Sequence, residues 1–291
     1  MDGVLVVDKP PNMSSAKVVS LVKHVTGAAK AGHTGTLDPF ATGVMICCLN
    51  RATRLARFFL HADKQYEALL QLGVETDTQD ATGNVTAANA VPAFSPPRLT
   101  AVLERFVGPI EQAPPVYSAL KHHGVPLYKL ARQGRPVQKP ARRVVIHDIR
   151  LLEMQLPCLR LSISCTSGTY IRTLGADIGS ALGCGGHLKQ LKRTANAGFS
   201  IEEAVDLAHL KENGLSAMMD MAASLRQLPG VYVDKDTARA VLQGIPLASD
   251  HPVLSSAGTG FVKVLDEAGR LLAVLERKKV PPRCDYCCVF P

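Results

Sequence analysis

No apolar run in the 291-residue sequence approaches the length needed to cross a membrane. Its Met-Asp-Gly opening also lacks the basic, then apolar, character of a secretory leader. The expectation is a cytoplasmic protein whose eight cysteines are free thiols. The glycines around His33 are not followed by Gly-Lys-Ser/Thr, which excludes a P-loop, and Thr76–Asp80 lacks the alternating acids and terminal glutamate of a calcium loop. Cys284, Cys287 and Cys288 form a C-x-x-C-C cluster with no second ligand pair nearby, so no zinc site is expected there. Internal repeats and low-complexity tracts are absent too. One further absence is local. From Pro115 to Arg143 there is no aspartate or glutamate, although that stretch holds seven basic residues: Lys121, Lys129, Arg132, Arg135, Lys139, Arg142 and Arg143.

What is present fits a globular protein with a polyanionic partner. Hydrophobic residues make up 46% of the chain, and 33 basic against 25 acidic residues leave a net charge of +8. The acid-free stretch also carries His122, His123, Tyr117 and Tyr128. A solvated face would explain the charge, but such faces usually mix signs, so a phosphate-contacting element is expected over 115–143. Pattern reading predicts a strand at Val4–Val7, a helix capped by Ser14-Ser15, and a strand Val44–Leu49 buried on both faces. Asn50 is expected to cap a helix bearing Leu55, Phe58 and Phe59, and Tyr66, Ala68, Leu70 and Leu72 alternate as a strand. Ser95 is expected to cap a helix bearing Leu99, Val102 and Leu103, with a short helix near Leu127–Arg132. A half-exposed strand follows at Leu159–Cys165, then a helix with Ile171, Leu174 and Ile178 closed by Gly183. Ser200 and Glu203 match a capping box, the pattern loosens from Asn213 to Pro229, and a helix and hairpin complete the tail. Strands and helices without regular βαβ alternation argue for an α+β fold.

The most informative stretch is Gly32-His33-Thr34-Gly35-Thr36-Leu37-Asp38-Pro39-Phe40-Ala41-Thr42-Gly43. Its single carboxylate, Asp38, is framed by three glycines and a proline and leads into a buried strand. Such a loop can present one reactive acid, or it can be a turn in which Asp38 bonds its own backbone.

This loop resembles the catalytic motif of the TruB-type tRNA pseudouridine synthases. Further segments agree with that family in the same order: Val6-Val7-Asp8-Lys9-Pro10, Asp63-Lys64-Gln65-Tyr66, Thr76-Asp77-Thr78-Gln79-Asp80, Pro115-Val116-Tyr117-Ser118-Ala119-Leu120-Lys121, Gly168-Thr169-Tyr170-Ile171-Arg172-Thr173 and Leu191-Lys192-Arg193-Thr194. The likeness runs from about the first residue to Phe199 and is looser beyond. Asn12 departs from it where glycine is usual, and Gly198 is displaced by one position.

The resemblance implies a mixed, mostly antiparallel pseudouridine synthase core over 1–228 and a small β-rich PUA-like RNA-binding domain over 229–291. It implies isomerisation of uridine at position 55 in the tRNA T stem-loop, with no cofactor, no metal and no protein partner, in a monomer. Asp38 aligns with the family nucleophile and Arg172 with its partner arginine, whose charge would lower a carboxylate pKa by about 1–3 units. Tyr66 aligns with the tyrosine that stacks on the flipped base, although its alternation also fits a core tyrosine. Tyr170 and Leu191 fall on pocket-lining positions, and His33 on a position that contacts the RNA loop. Lys121, Lys129, Arg132, Arg135, Arg142 and Arg143 would grip the backbone, while Lys9-Pro10 and Thr76–Asp80 would support the cleft. Two rivals remain: a non-catalytic RNA-binding or tRNA-folding protein on this scaffold, and a pseudouridine synthase for another RNA.

Overall fold

The computed structural model describes residues 2–247, 260–278 and 283–291. A nine-stranded mixed sheet organises most of them. Its main path runs Gly3–Lys9, Thr42–Leu49, Gly186–Asn196, Lys64–Leu72, Cys158–Cys165, Arg142–Gln155, Gly108–Gln112. Neighbours along this path are antiparallel except Thr42–Leu49 and Gly186–Asn196, which run parallel with Lys192 opposite Thr42 and Arg193 opposite Gly43. The α+β reading, with a mostly antiparallel sheet, matches this arrangement.

The unbroken apolar run of Thr42–Leu49 follows from what covers each face. Met45, Cys47 and Leu49 pack with Val18 and Val22 of helix Ser15–Thr26 and Leu210 of helix Leu207–Asn213. Val44, Ile46 and Cys48 pack with Phe59, Phe199 and residues of the tail. A strand covered on both faces has no position for a polar side chain. The alternating Lys64–Leu72 strand buries Tyr66, Ala68, Leu70 and Leu72 beneath helices Ile171–Ala181 and Pro96–Glu104.

Some expected caps differ. Asn50 takes a positive φ of 49° and opens a 3-10 turn, Asn50–Leu55, while its side chain accepts a hydrogen bond from the Lys30 backbone N–H. A residue in that conformation cannot serve as an extended N-cap. Ser95 is the N-cap of Pro96–Glu104 but makes no side-chain capping bond. Glu203 does reach back to the Ser200 N–H at 2.9 Å, yet the box closes only a single 3-10 turn, Ile201–Glu203. The stretch after Asn213, which reads as a loosening pattern, packs back onto the first strand through paired Val4–Met219 hydrogen bonds of 2.9 Å each.

The tail forms a four-stranded sheet in the order Gly230–Tyr232, Gly260–Leu265, Leu271–Lys278, Arg283–Val289, flanked by helix Lys235–Leu242. Leu265, Leu271, Val274 and Phe290 share a core with Val44 and Ile46. Phe58 meets Phe261 edge-on at 5.1 Å, and Arg54 donates to the Val289 carbonyl at 2.6 Å. The expected hairpin is present, its turn held by Asp266. Cys288 is buried in the shared core, and all eight cysteines are free.

Candidate active site

The Asp38 loop crosses the end of the sheet between strand Ala31–His33 and strand Thr42–Leu49. Its closing glycine is a steric necessity. Gly43 has φ +102°, and a Cβ there would lie 2.2 Å from the carbonyl oxygen of Arg193. Behind the loop, the Lys9 ammonium is fully enclosed and donates to the carbonyls of Met13 (2.6 Å), Pro10 (2.8 Å) and Pro39 (3.2 Å). This pins the residue after Asp38 from beneath. Burial, opposed by the Asp38 carboxylate, lowers the Lys9 pKa to about 8.

Asp38 does not turn on itself through its side chain; its backbone carbonyl accepts from Ala41 N–H at 3.1 Å. The carboxylate Oδ2 lies 2.8 Å from Nε of Arg172. That Nε–H points poorly at the oxygen, so the contact is an ion pair rather than an aligned hydrogen bond. The rest of the guanidinium is fixed: Nη1 donates to Thr78 O and Nη2 to Tyr117 O, each at 2.7 Å, and Nη1 lies 3.4 Å from Asp80 Oδ2. Asp80 is held in turn by the hydroxyls of Thr78 (2.8 Å) and Thr82 (2.6 Å). The Thr76–Asp80 segment is thus the seat of Arg172.

The electrostatic outcome differs from the sequence expectation. Arg172 does pull the Asp38 pKa down, but burial outweighs it, Asp80 adds to the rise, and the net shift is upward. The carboxyl keeps 35% of its side-chain surface open, yet protein encloses it at the bottom of a cleft, which is why desolvation dominates.

That cleft, about 400 Å³, is lined by Asp38, Arg172, Tyr66, Tyr170, Leu191 and Arg193, together with Ser118–Leu120 and Leu60. Tyr66 is at once a core residue and part of the cleft wall. Burial pushes its phenol pKa up, against the charge of Arg193. The backbone of Tyr170 is clamped by Gln112, which accepts from its N–H (2.7 Å) and donates to its carbonyl (3.0 Å). His33 stands outside the cleft lining, at the loop's base, where its Nδ1 accepts from Gly35 N–H at 3.3 Å.

Of the six basic residues assigned to the backbone grip, Lys121, Lys129, Arg132, Arg135 and Arg143 are exposed. Arg142 is placed differently. Half-buried, it lies over the Tyr170 ring with its guanidinium carbon 4.9 Å from the ring centre, and donates to the Gly168 carbonyl. It is part of the cleft wall.

Sequence reasoning missed Arg193 as a site residue. Only 1% exposed, it donates through Nε to Val44 O (2.7 Å) and through Nη2 to Gly35 O (3.1 Å), opposite Tyr66 in the sheet. The available signal was a second basic residue two positions after the pocket leucine, on a strand whose neighbours are apolar.

Comparison with known proteins bears on this arrangement. Residues 23–171 match the model of the TruB family pseudouridylate synthase N-terminal domain, and residues 172–229 that of the tRNA pseudouridylate synthase B C-terminal domain. This chain belongs to the TruB family of pseudouridine synthases. Among relatives, a tRNA pseudouridine synthase B of Francisella philomiragia is 47% identical over 236 residues, 81% of this chain and 77% of that one. The same-named protein of Francisella tularensis subsp. novicida is 45% identical over 286 residues, 96% and 92% of the two chains. Among solved structures, a chain of a Cbf5-Nop10-Gar1 complex superposes with TM-score 0.77 at 28% identity, covering 99% of this TruB-family chain and 85% of its own. A chain from an H/ACA RNP bound to a substrate RNA containing 2'-deoxyuridine gives 0.75 at 26% identity, covering 99% and 85%.

Among the described residues, no group of three or more His, Cys, Asp or Glu side chains is placed to hold a metal ion, and no helix is long and apolar enough to cross a membrane.

Proposed function

We propose that this enzyme isomerises uridine to pseudouridine at position 55 in the T arm of tRNA, acting on a nucleotide flipped out of the folded loop. The single observation that carries the reading is the Asp38–Arg172 pair, 2.8 Å apart on the floor of an open cleft walled by Tyr66, Tyr170 and Leu191. The reaction breaks the N1–C1′ bond, forms C5–C1′, and exchanges the proton on C5 for one on N1. Nothing is oxidised or lost, so a carboxylate and a shaped, partly apolar pocket suffice.

In this reading Asp38 is the acting group, and Arg172 aims it while keeping an ionised form accessible against the cost of burial. Tyr66 stacks on the extruded base, offsetting part of the few kcal/mol of lost stacking, and takes part in C5 proton removal. Tyr170, stiffened by Arg142 and Gln112, forms the opposite wall with Leu191. His33 contacts the RNA loop that the base has vacated. Lys121, Lys129, Arg132, Arg135 and Arg143 meet the phosphate backbone by shape and charge. Residues 1–228 form the catalytic part and 229–291 a PUA-like RNA-binding part. The enzyme acts as a monomer in the cytoplasm, without cofactor or protein partner.

The test is Asp38→Asn with an unmodified tRNA transcript. The variant should bind the transcript with near wild-type affinity and form no pseudouridine when the product is mapped. Undiminished product would overturn the assignment of Asp38. Modification by the wild type of other RNAs in preference to tRNA would overturn the substrate.

A further inference from the structure

The acid-free segment contains a small hairpin, Lys121–His122 against Val125–Pro126, whose geometry concentrates charge at its tip. The two turn residues, His123 (φ 48°) and Gly124 (φ 82°), both lie in the left-handed region, as a tight hairpin turn requires. This turn brings the His122 and His123 rings to 4.1 Å between centres. Lys139 comes back over the hairpin, its Nζ 3.2 Å from Nδ1 of His122. An ammonium has only protons to offer, so in this contact Nδ1 is the acceptor and His122 is neutral. The charged or titratable groups around the His122 ring are Lys139 from the returning chain and His123 from the turn, with Lys121 preceding it on the strand. Among the described residues no carboxylate pairs with Lys139, His122 or His123, and 115–143 contains none.

Three basic groups packed this closely without a counter-ion form a site for an oxyanion. We propose that the His122–His123 tip and Lys139 bind a phosphate of the RNA backbone, and that binding takes up a proton on the histidine pair. The inference rests on the tRNA reading above. In the free protein, partial desolvation, His123 and the Lys139 charge all hold His122 below the ordinary histidine range. A phosphate between Lys139 and the ring removes the conflict: the ammonium donates to one oxygen, and the protonated ring donates to another. Affinity for RNA must then rise as pH falls through the interval between the free and bound pKa values.

The experiment measures equilibrium binding of an unmodified tRNA transcript at constant ionic strength between about pH 6 and 7.5. Comparing wild type with the His122→Gln/His123→Gln variant cancels protonation elsewhere in protein and RNA. For one histidine whose pKa rises by about one unit on binding, wild type should gain about fourfold more affinity than the variant over that range. Calorimetry in buffers of different ionisation enthalpy should show wild type taking up protons that the variant does not. Lys139→Gln removes the like charge facing Nδ1, so it should diminish that uptake and lower the salt dependence of binding by about one ion. Parallel pH profiles for wild type and the double variant would overturn the proposal. Wild type that shows the pH signature but forms no pseudouridine in the transcript would overturn the reaction assignment and support the phosphate site.

Discussion

At the residue scale, Asp38 and Arg172 form an asymmetric pair. The arginine is 4% exposed and spends its remaining donors on Thr78 O, Tyr117 O and Asp80, whereas the carboxylate faces the cleft. Replacing the fork with a point charge therefore affects more than Asp38. Arg172→Lys should leave buried carbonyls unpaired and lower stability by about 1–3 kcal/mol, read from urea midpoints. Single-turnover product formation should fall by about 100-fold or more, because the acid loses its alignment. Retention of full rate would show that Arg172 only props the fold. The pH dependence follows from the direction of the Asp38 shift. A carboxyl raised above the usual 3.8 protonates earlier as pH falls, so the acid limb of the single-turnover rate should inflect above that value. An inflection at or below it would mean that Arg172, not burial, dominates. Arg193 shows what remained hidden at this scale. In the sequence Lys192-Arg193 looks like solvent-facing charge, and only the sheet register reveals that Arg193 points inward at Tyr66 while Lys192 does not.

At the element scale, the acid loop depends on one close parallel contact. Gly43 lies against the Arg193 backbone where the Thr42–Leu49 and Gly186–Asn196 strands meet. Gly43→Ala would need the strands to part and would hold a positive φ on a residue with a side chain. Expected is a loss of at least about 3 kcal/mol in stability, measured by chemical denaturation, with activity falling alongside. Wild-type stability would show that the parallel pairing is dispensable. Much of this layer was legible beforehand. The alternation in 66–72 and 159–165 and the two-faced apolar run at 44–49 translate directly into burial, because side-chain direction in a strand is fixed by position. Caps were harder. Asn50 carries the right side chain, but tertiary contacts set the backbone angle that rules out its cap, and local sequence does not contain them. The Ser200–Glu203 box does form, though it opens only a 3-10 turn.

At the scale of the whole molecule, the tail sheet and the nine-stranded sheet share one core through Val44, Ile46, Leu265, Val274 and Phe290. Thermal unfolding followed by calorimetry should accordingly give one cooperative transition, and Phe290→Ala should lower it as a unit, at a cost of about 3 kcal/mol. Two separable transitions would mean that the tail is an independent body. The joining could not be read from the tail alone, since its strands look like those of any small sheet until the partner surface on Thr42–Leu49 is known.

The Arg172–Tyr117 hydrogen bond carries a mechanical consequence. Tyr117 opens the same backbone that runs four residues on into the basic hairpin at Lys121, so the arm that would close over nucleic acid is fastened to the guanidinium paired with Asp38. A shift of that arm would bear on the guanidinium that holds Asp38, so the hairpin's position and the carboxylate's orientation share one mooring.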